Sequence, residues 1–376
     1  MILAKHKVIQ KGFVFFILLL LQNCGTDGVG EGAFTTTSGI TITSDSNDES
    51  LSDNNSTDQD NSSTDQEETS DSSPTPVTSE SIPITISNTK IPTLVFQKTI
   101  KRPDSTDSGQ YEETPSEIII TKDGDYVGVG RSISSEWPPP NNVDDALIFK
   151  LSADGELLWN QVIHYRNYDR ATSVVEGNDG DYYLTGFTSQ DDANKSDILF
   201  SKVSSGGEVL LKKSIKITKN YDGGYAISKT TDGNYVIAGE AGSSHNEDFL
   251  ILRVDGEGST IWKKRFQDPE DTSAYDVIQA SDGSYYLIGT KRIIHKYEDI
   301  RVIKINSKGK KVWDKNYGGD RVDVGEGIVE AEDNTFILAG STYSYGTGGD
   351  VLLLKIDSDG EVLWTKNFGG NKQDQL

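Results

Sequence analysis

Residues 155 to 159 read Gly155-Glu-Leu-Leu-Trp159, and the pattern returns as Gly207-Glu-Val-Leu-Leu211, Gly258-Ser-Thr-Ile-Trp262, Gly309-Lys-Lys-Val-Trp313 and Gly360-Glu-Val-Leu-Trp364. The last residues of these segments are 52, 51, 51 and 51 positions apart. Two further series keep step with them. An Asp and a basic residue five positions on recur as Asp145/Lys150, Asp197/Lys202, Asp248/Arg253, Asp299/Lys304 and Asp350/Lys355. An aromatic residue four before a Gly recurs as Tyr126/Gly130, Tyr182/Gly186, Tyr235/Gly239, Tyr285/Gly289 and Phe336/Gly340. Three independent series with one period define a structural repeat, and a period of this length means a solenoid, an array or a propeller.

Within a unit the pattern predicts four short strands. In residues 274–317 they are a (Tyr275 to Ala280), b (Ser284 to Thr290), c (Asp299 to Ile305) and d (Lys311 to Tyr317), with Asp282-Gly283 and Lys308-Gly309 as tight turns. Strand c is apolar on both faces: Leu250, Leu252 and Val254 alternate with Phe249 and Ile251. Both faces must then be covered, as in sheets stacked around an axis. The expected fold is all-β, a propeller of about five four-stranded blades spanning residues 93–376, with d strands near 96, 159, 211, 262, 313 and 364. Leu94 to Ile100 reads as a sixth d strand with Phe96 in the Trp position, and Gly369-Gly370-Asn371-Lys372 repeats the lead into a strand a. Either the ring closes with five blades and this early strand is spare or swaps into the closure, or the chain is a shortened relative of a larger propeller.

The segment Asp357-Ser-Asp-Gly360-Glu-Val-Leu-Trp364 resembles the quinoprotein-like propeller repeats of the PQQ and WD type, although the Asp-to-Gly spacing is one residue shorter here. The resemblance implies fold and no chemistry. No cofactor is expected.

Ahead of the repeat lie two segments of other composition. Lys5, Lys7 and Lys11 precede the apolar run Phe13 to Leu21, so residues 1–23 read as a signal peptide. Nine apolar residues are too few for a membrane span, which needs roughly 20. Leu21-Gln22-Asn23-Cys24-Gly25 resembles the lipobox of bacterial lipoproteins, with Gln22 and Asn23 departing from its small residues. The resemblance implies acylation of Cys24, the sole cysteine, and a membrane anchor through that lipid. No Asp follows Cys24, which in that family favours the outer membrane. Residues 24–92 form an expected disordered acidic tether; 25–92 hold 13 acids against Lys90 alone. Asp58-Gln59-Asp60 lacks the Gly and Glu of an EF-hand loop. As a coil of about 68 residues the tether would span roughly 45 Å.

The formal charge of −23 and the lack of basic clusters exclude nucleic acid as a partner. Four histidines leave little for metal sites, and none is expected. Ingredients for nucleophilic catalysis fail, Ser152-Ala-Asp154-Gly155 departs from a sialidase-like Asp-box, and no catalytic residue is assigned. The repeated Asp and Lys or Arg read as scaffold hydrogen bonds or strand-edge ion pairs in preference to a ring of binding charge. The b–c and d–a loops share one face and hold the irregular sequence, so that face is expected to bind. Its candidate contacts are Trp137, His164, Tyr168, His245, Tyr343 and Tyr345. The expectation is a non-enzymatic protein-binding or adhesion module, facing the cell surface and taking a protein or glycan. The alternatives are a periplasmic envelope scaffold and a carbohydrate-active hydrolase or lyase, which requires non-repeated acids converging at the axis.

Overall fold

A computed structural model describes residues 7–9, 111–134, 144–190, 195–243, 246–292, 297–331, 333–346 and 348–369. The chain divides into two compact units, 1–20 with 94–376, and 21–93. The second unit, with Cys24 and the expected tether, lies outside the described residues, as do Trp137, His245 and the strand expected at 94–100. Of the segment read as a signal peptide, β1 (Lys7–Ile9) is described; it pairs antiparallel with Glu117–Ile119.

The described chain is all-β. Five antiparallel four-stranded sheets follow in order: β2 (Tyr111–Ile120) to β5 (Leu157–Ile163) with β3 (Tyr126–Ser134) and β4 (Asp144–Leu151); β6 (Tyr168–Glu176), β7 (Tyr182–Ser189), β8 (Asp197–Val203) and β9 (Val209–Ile215); β10 (Tyr221–Lys229), β11 (Tyr235–Ser243), β12 (Asn246–Val254) and β13 (Thr260–Phe266). The fourth holds β14 (Thr272–Gln279), β15 (Tyr285–Arg292), β16 (Glu298–Ile305) and β17 (Lys311–Tyr317). The fifth holds β18 (Asp323–Glu330), β19 (Phe336–Thr342), β20 (Asp350–Ile356) and β21 (Val362–Phe368). A single parallel bridge, Asp144 to Tyr168, links the first two sheets. These are the blades of a propeller, with strand a innermost and strand d outermost and largely exposed.

Each blade packs its downstream face on the upstream face of the next. Val127, Val129, Ala146 and Ile148 meet Tyr182, Leu184, Leu199 and Val203. Their counterparts Tyr183, Ile198 and Phe200 meet Tyr235, Ile237, Leu250 and Leu252, and the pattern repeats at the next two junctions. A fully buried Val, Leu, Ile or Phe contributes about 1.5–3 kcal/mol, so this stacking, more than the ladders, holds the units together. The fifth blade breaks the series. Its downstream face carries Ile337, Ala339, Val351 and Leu353, the counterparts of Tyr286, Ile288, Ile300 and Val302, yet these are only half-buried.

The repeated Gly of strand b has a specific cause. In every blade strand a bulges by one residue opposite it, at Ser116, Thr172, Tyr225, Tyr275 and Glu326. The bulge drives a strand-a carbonyl against the Gly: a Cβ on Gly186 would lie 1.8 Å from the Arg170 carbonyl oxygen, and one on Gly289 1.9 Å from that of Ser273. No side chain fits, so the Gly is fixed and the bulged residue points to the axis.

Candidate functional site

The repeated charges of strand c do not pair with one another. The basic residue faces the a–b turn of its own blade: Lys150 Nζ lies 2.9 Å from Asp123 and 3.1 Å from Asp125, and Lys202 lies 3.0 and 3.1 Å from Asp179 and Asp181. Arg253 contacts Asp232, and Lys355 lies 2.9 Å from Asp333. The Thr121 hydroxyl and Lys150 hold Asp123 down to about 2, and Thr335 and Lys355 do the same for Asp333. At the opposite end, the repeated Asp accepts from neighbours. Asp145 is 2.6 Å from His164, Asp197 takes Arg166 at 2.9 Å and Ser214 at 2.7 Å, Asp248 takes Arg265 at 2.5 Å, and Asp350 takes Asn367 at 3.2 Å. Apart from Asp145, whose partner is an imidazole, the described members of both series make scaffold contacts.

A third repeated position emerges only in space. Strand a begins with Asp169, Asp222, Thr272 and Asp323 in successive blades, and each aspartate holds the d–a turn. Asp222 accepts from the Ile217 and Thr218 N–H groups at 2.7 Å, and Asp169 from those of Tyr165 and Arg166 at 2.7 and 2.8 Å. Burial pushes the Asp169 carboxyl above the usual range, and the nearby Asp145 charge adds to the rise.

The side chains that differ from blade to blade collect along the axis. The bulge supplies Tyr225 and Tyr275, and the residue after the repeated Gly supplies Arg131, Phe187 and Glu240. Glu240 is 7% exposed; Tyr225 donates to one of its oxygens at 2.8 Å and Ser273 to the other. Tyr225 packs edge-on against Tyr275 and Phe187, each at 5.2 Å between ring centres, and Phe187 lies 5.7 Å from Tyr221. Burial, with Glu240 adding to it, raises the Tyr275 hydroxyl to about 12 and pushes those of Tyr221 and Tyr225 higher. Arg170, beside Arg131, Tyr221 and Tyr225, reaches solvent. Glu326 occupies the bulge of the fifth blade. An aromatic wall beside a fixed carboxylate and a guanidinium can take the apolar face of a polyol while receiving its hydroxyls.

None of the described loop candidates belongs to this cluster; Trp137 and His245 lie outside the described residues. His164 and the exposed Tyr168 flank the turn between the first two blades, where His164 meets Asp145 and Asp169. Tyr343 and Tyr345 line an open cleft with Asp320, Arg321 and Ser344 on the fifth blade, where Tyr345 donates to the Gly318 carbonyl at 3.0 Å. The axial residues had a signal in the sequence. The bulged residue always stands 14 before the repeated Gly, and the varied one directly after it.

No family model matches the chain, and no curated protein matches it. Among solved structures it is similar to a mannose phosphorylase from Leishmania mexicana in complex with phosphate (11% identity, 70% of this chain and 90% of that one, TM-score 0.37). It is also similar to an α-L-arabinofuranosidase from Clostridium thermocellum (12%, 68% and 94%, TM-score 0.38). A third is an ulvan lyase, of a new family of polysaccharide lyases, bound to -[GlcA(1-4)Rha3S]- (13%, 70% and 69%, TM-score 0.42). These likenesses concern architecture alone. One expectation is corrected beside them: all three are named as enzymes, where the sequence led to the expectation of a non-enzymatic module. Glu240 and Glu326 stand at positions that are not acids in the other blades.

Proposed function

We propose that the axial face is a saccharide site and that the chain acts on glycans there. The observation that carries this reading is Glu240: a buried carboxylate, absent from the equivalent positions, bracketed by Tyr225 and Tyr275. In this reading sugar hydroxyls replace Tyr225 and Ser273 as donors to Glu240, the tyrosine rings take the sugar's C–H face, and Arg170 meets a polar substituent. On the same reading Glu240 and Glu326 are the candidates for acid and base chemistry. A panel of neutral and acidic polysaccharides tests it, with calorimetry for binding and new chain ends for turnover. Binding of one class, lost in Glu240→Gln and weakened in Tyr275→Ala, is expected. No binding across the panel, or binding that Glu240→Gln leaves intact, refutes it.

We further propose that a lipid on Cys24 holds this domain at the bacterial outer membrane, facing outward. The support is the charge and apolar pattern of residues 1–24 and the acidic sequence that follows. Labelled palmitate should enter the chain and not its Cys24→Ala variant, and protease on intact cells should remove the domain. A protected domain excludes the outward orientation.

A further inference from the structure

The turn between the first and second blades brings together the strand-c Asp145, the strand-a Asp169 and His164. One ligand atom from each lies within 4.8 Å of the others. Asp145 and Asp169 are buried, whereas the His164 side chain is 60% exposed. Two buried carboxylates this close need positive charge or a proton between them.

Comparison with the other junctions shows what is missing. At the next one, Arg166 and Lys216 reach Asp197, at 2.9 and 3.8 Å; at the third, Arg265 reaches Asp248. At the first, imidazole stands in for these cations, and Arg166 is turned away to Asp197. The carboxylate oxygens differ too. Asp222 Oδ1 accepts from Thr218 Oγ1 at 2.7 Å, and Asp323 Oδ1 accepts from the Thr342 hydroxyl. Asp169 is 1% exposed; its Oδ2 holds two backbone N–H groups, while Oδ1 is buried with the Thr188 hydroxyl as its one facing donor and in a looser contact than Asp323 makes with Thr342, which leaves it lone-pair capacity. A buried carboxylate oxygen with lone pairs to spare, beside a second carboxylate and a ring nitrogen, is a ligand set awaiting a cation.

We propose that Asp145, His164 and Asp169 bind one divalent transition-metal ion of the zinc class at the junction of the first two blades. One imidazole with two carboxylates suits a borderline ion, while calcium and magnesium prefer oxygen alone. Ligands at about 2.0–2.2 Å in tetrahedral array stand roughly 3.3 Å apart, so His164 Nδ1 and Asp145 Oδ1, now 2.6 Å apart, would separate slightly around the ion. The exposed side of His164 leaves the fourth position to water. The inference stands apart from the saccharide reading: Asp169 is the chain neighbour of Arg170, but the readout is metal binding, which the saccharide reading does not require.

The test uses the untagged full chain, stripped with chelator, titrated with zinc by calorimetry and with cobalt(II) by visible absorption. One equivalent of each is expected, with cobalt d–d bands that zinc abolishes. His164→Ala, exposed and tolerated by the fold, should weaken binding at least tenfold, and Asp145→Asn should do likewise. No binding, binding that His164→Ala leaves unchanged, or calcium that outcompetes zinc would each overturn the proposal.

Discussion

The bulge-and-glycine pairing meets a severe test at Gly289, with Gly283 as its control. In Gly289→Ala the new methyl would stand 1.9 Å from the Ser273 carbonyl oxygen and 2.9 Å from the Ala274 Cα. A carbon normally keeps about 3.3–3.6 Å from such an oxygen, so β14 must retreat by well over 1 Å. Both groups are backbone within a core sheet, and no side chain can turn aside. Overpacking of this kind costs about 1–3 kcal/mol, and loss of a ladder hydrogen bond beside the bulge adds about 1 kcal/mol. The total is about 3 kcal/mol. Gly283→Ala meets nothing within 4 Å but keeps φ at +79°, a strain of about 1–2 kcal/mol for an L-residue. Urea unfolding of the full chain followed by tryptophan fluorescence compares the two, with the m-value checked for constancy. The retreat of β14 also moves Tyr275, so Gly289→Ala should lose axial ligand binding while Gly283→Ala keeps it. If Gly289→Ala is no more destabilising than Gly283→Ala, the bulge does not explain why this glycine repeats.

Other expectations follow from the same geometry. Val302→Asp places an unpaired charge at a position with 0% exposure and should cost several kcal/mol, whereas the repeat-equivalent Leu353→Asp, on the half-open fifth blade, should cost under about 1 kcal/mol in the same urea assay. In acid, Asp123 and Asp333 are held near 2, below the 3.8 of a free carboxyl. Their contribution is present above about pH 4 and is lost as the pH falls toward 2, and Lys150→Met should remove part of the Asp123 share of that decline in circular dichroism while leaving that of Asp333, which Thr335 and Lys355 hold. In alkali, Tyr275 ionises near pH 12 against 10 when unfolded, so its contribution is intact below pH 10 and falls between 10 and 12. Ultraviolet titration should show that step vanish in Tyr275→Phe; a Tyr275 step near 10 would contradict its burial beside Glu240.

The repeat was legible because it is a matter of one dimension. Trp159, Trp262, Trp313 and Trp364 recur because each d strand meets the same c strand, and Lys150, Lys202 and Lys355 recur because each meets its own a–b turn. The expectation of strand c buried on two faces held for the four inner junctions, where Phe249 and Leu250 are both fully covered from opposite sides. The site was not legible in the same way. Irregular loops, with Tyr343, Tyr345, His164 and Tyr168 among their residues, are where variation shows openly in the sequence. The axial variation is hidden inside regular strands instead: Glu240 follows Gly239 in an ordinary β pattern, and its fixed offset from Tyr225 gains meaning only once the bulge opposite the glycine is seen.

Length, period and alternation thus determined an all-β array of four-stranded units, since a strand's faces follow from the chain's own two-residue period. Which of those units stack, which face stays open at Leu353, and which residues meet at the axis depend on how successive sheets rotate past one another. That rotation brings Arg170, Tyr225, Glu240 and Tyr275, from three blades and up to 105 positions apart, into one cluster, and Asp145 beside Asp169. Such proximity is a property of packing angles and bulges, which no local spacing encodes.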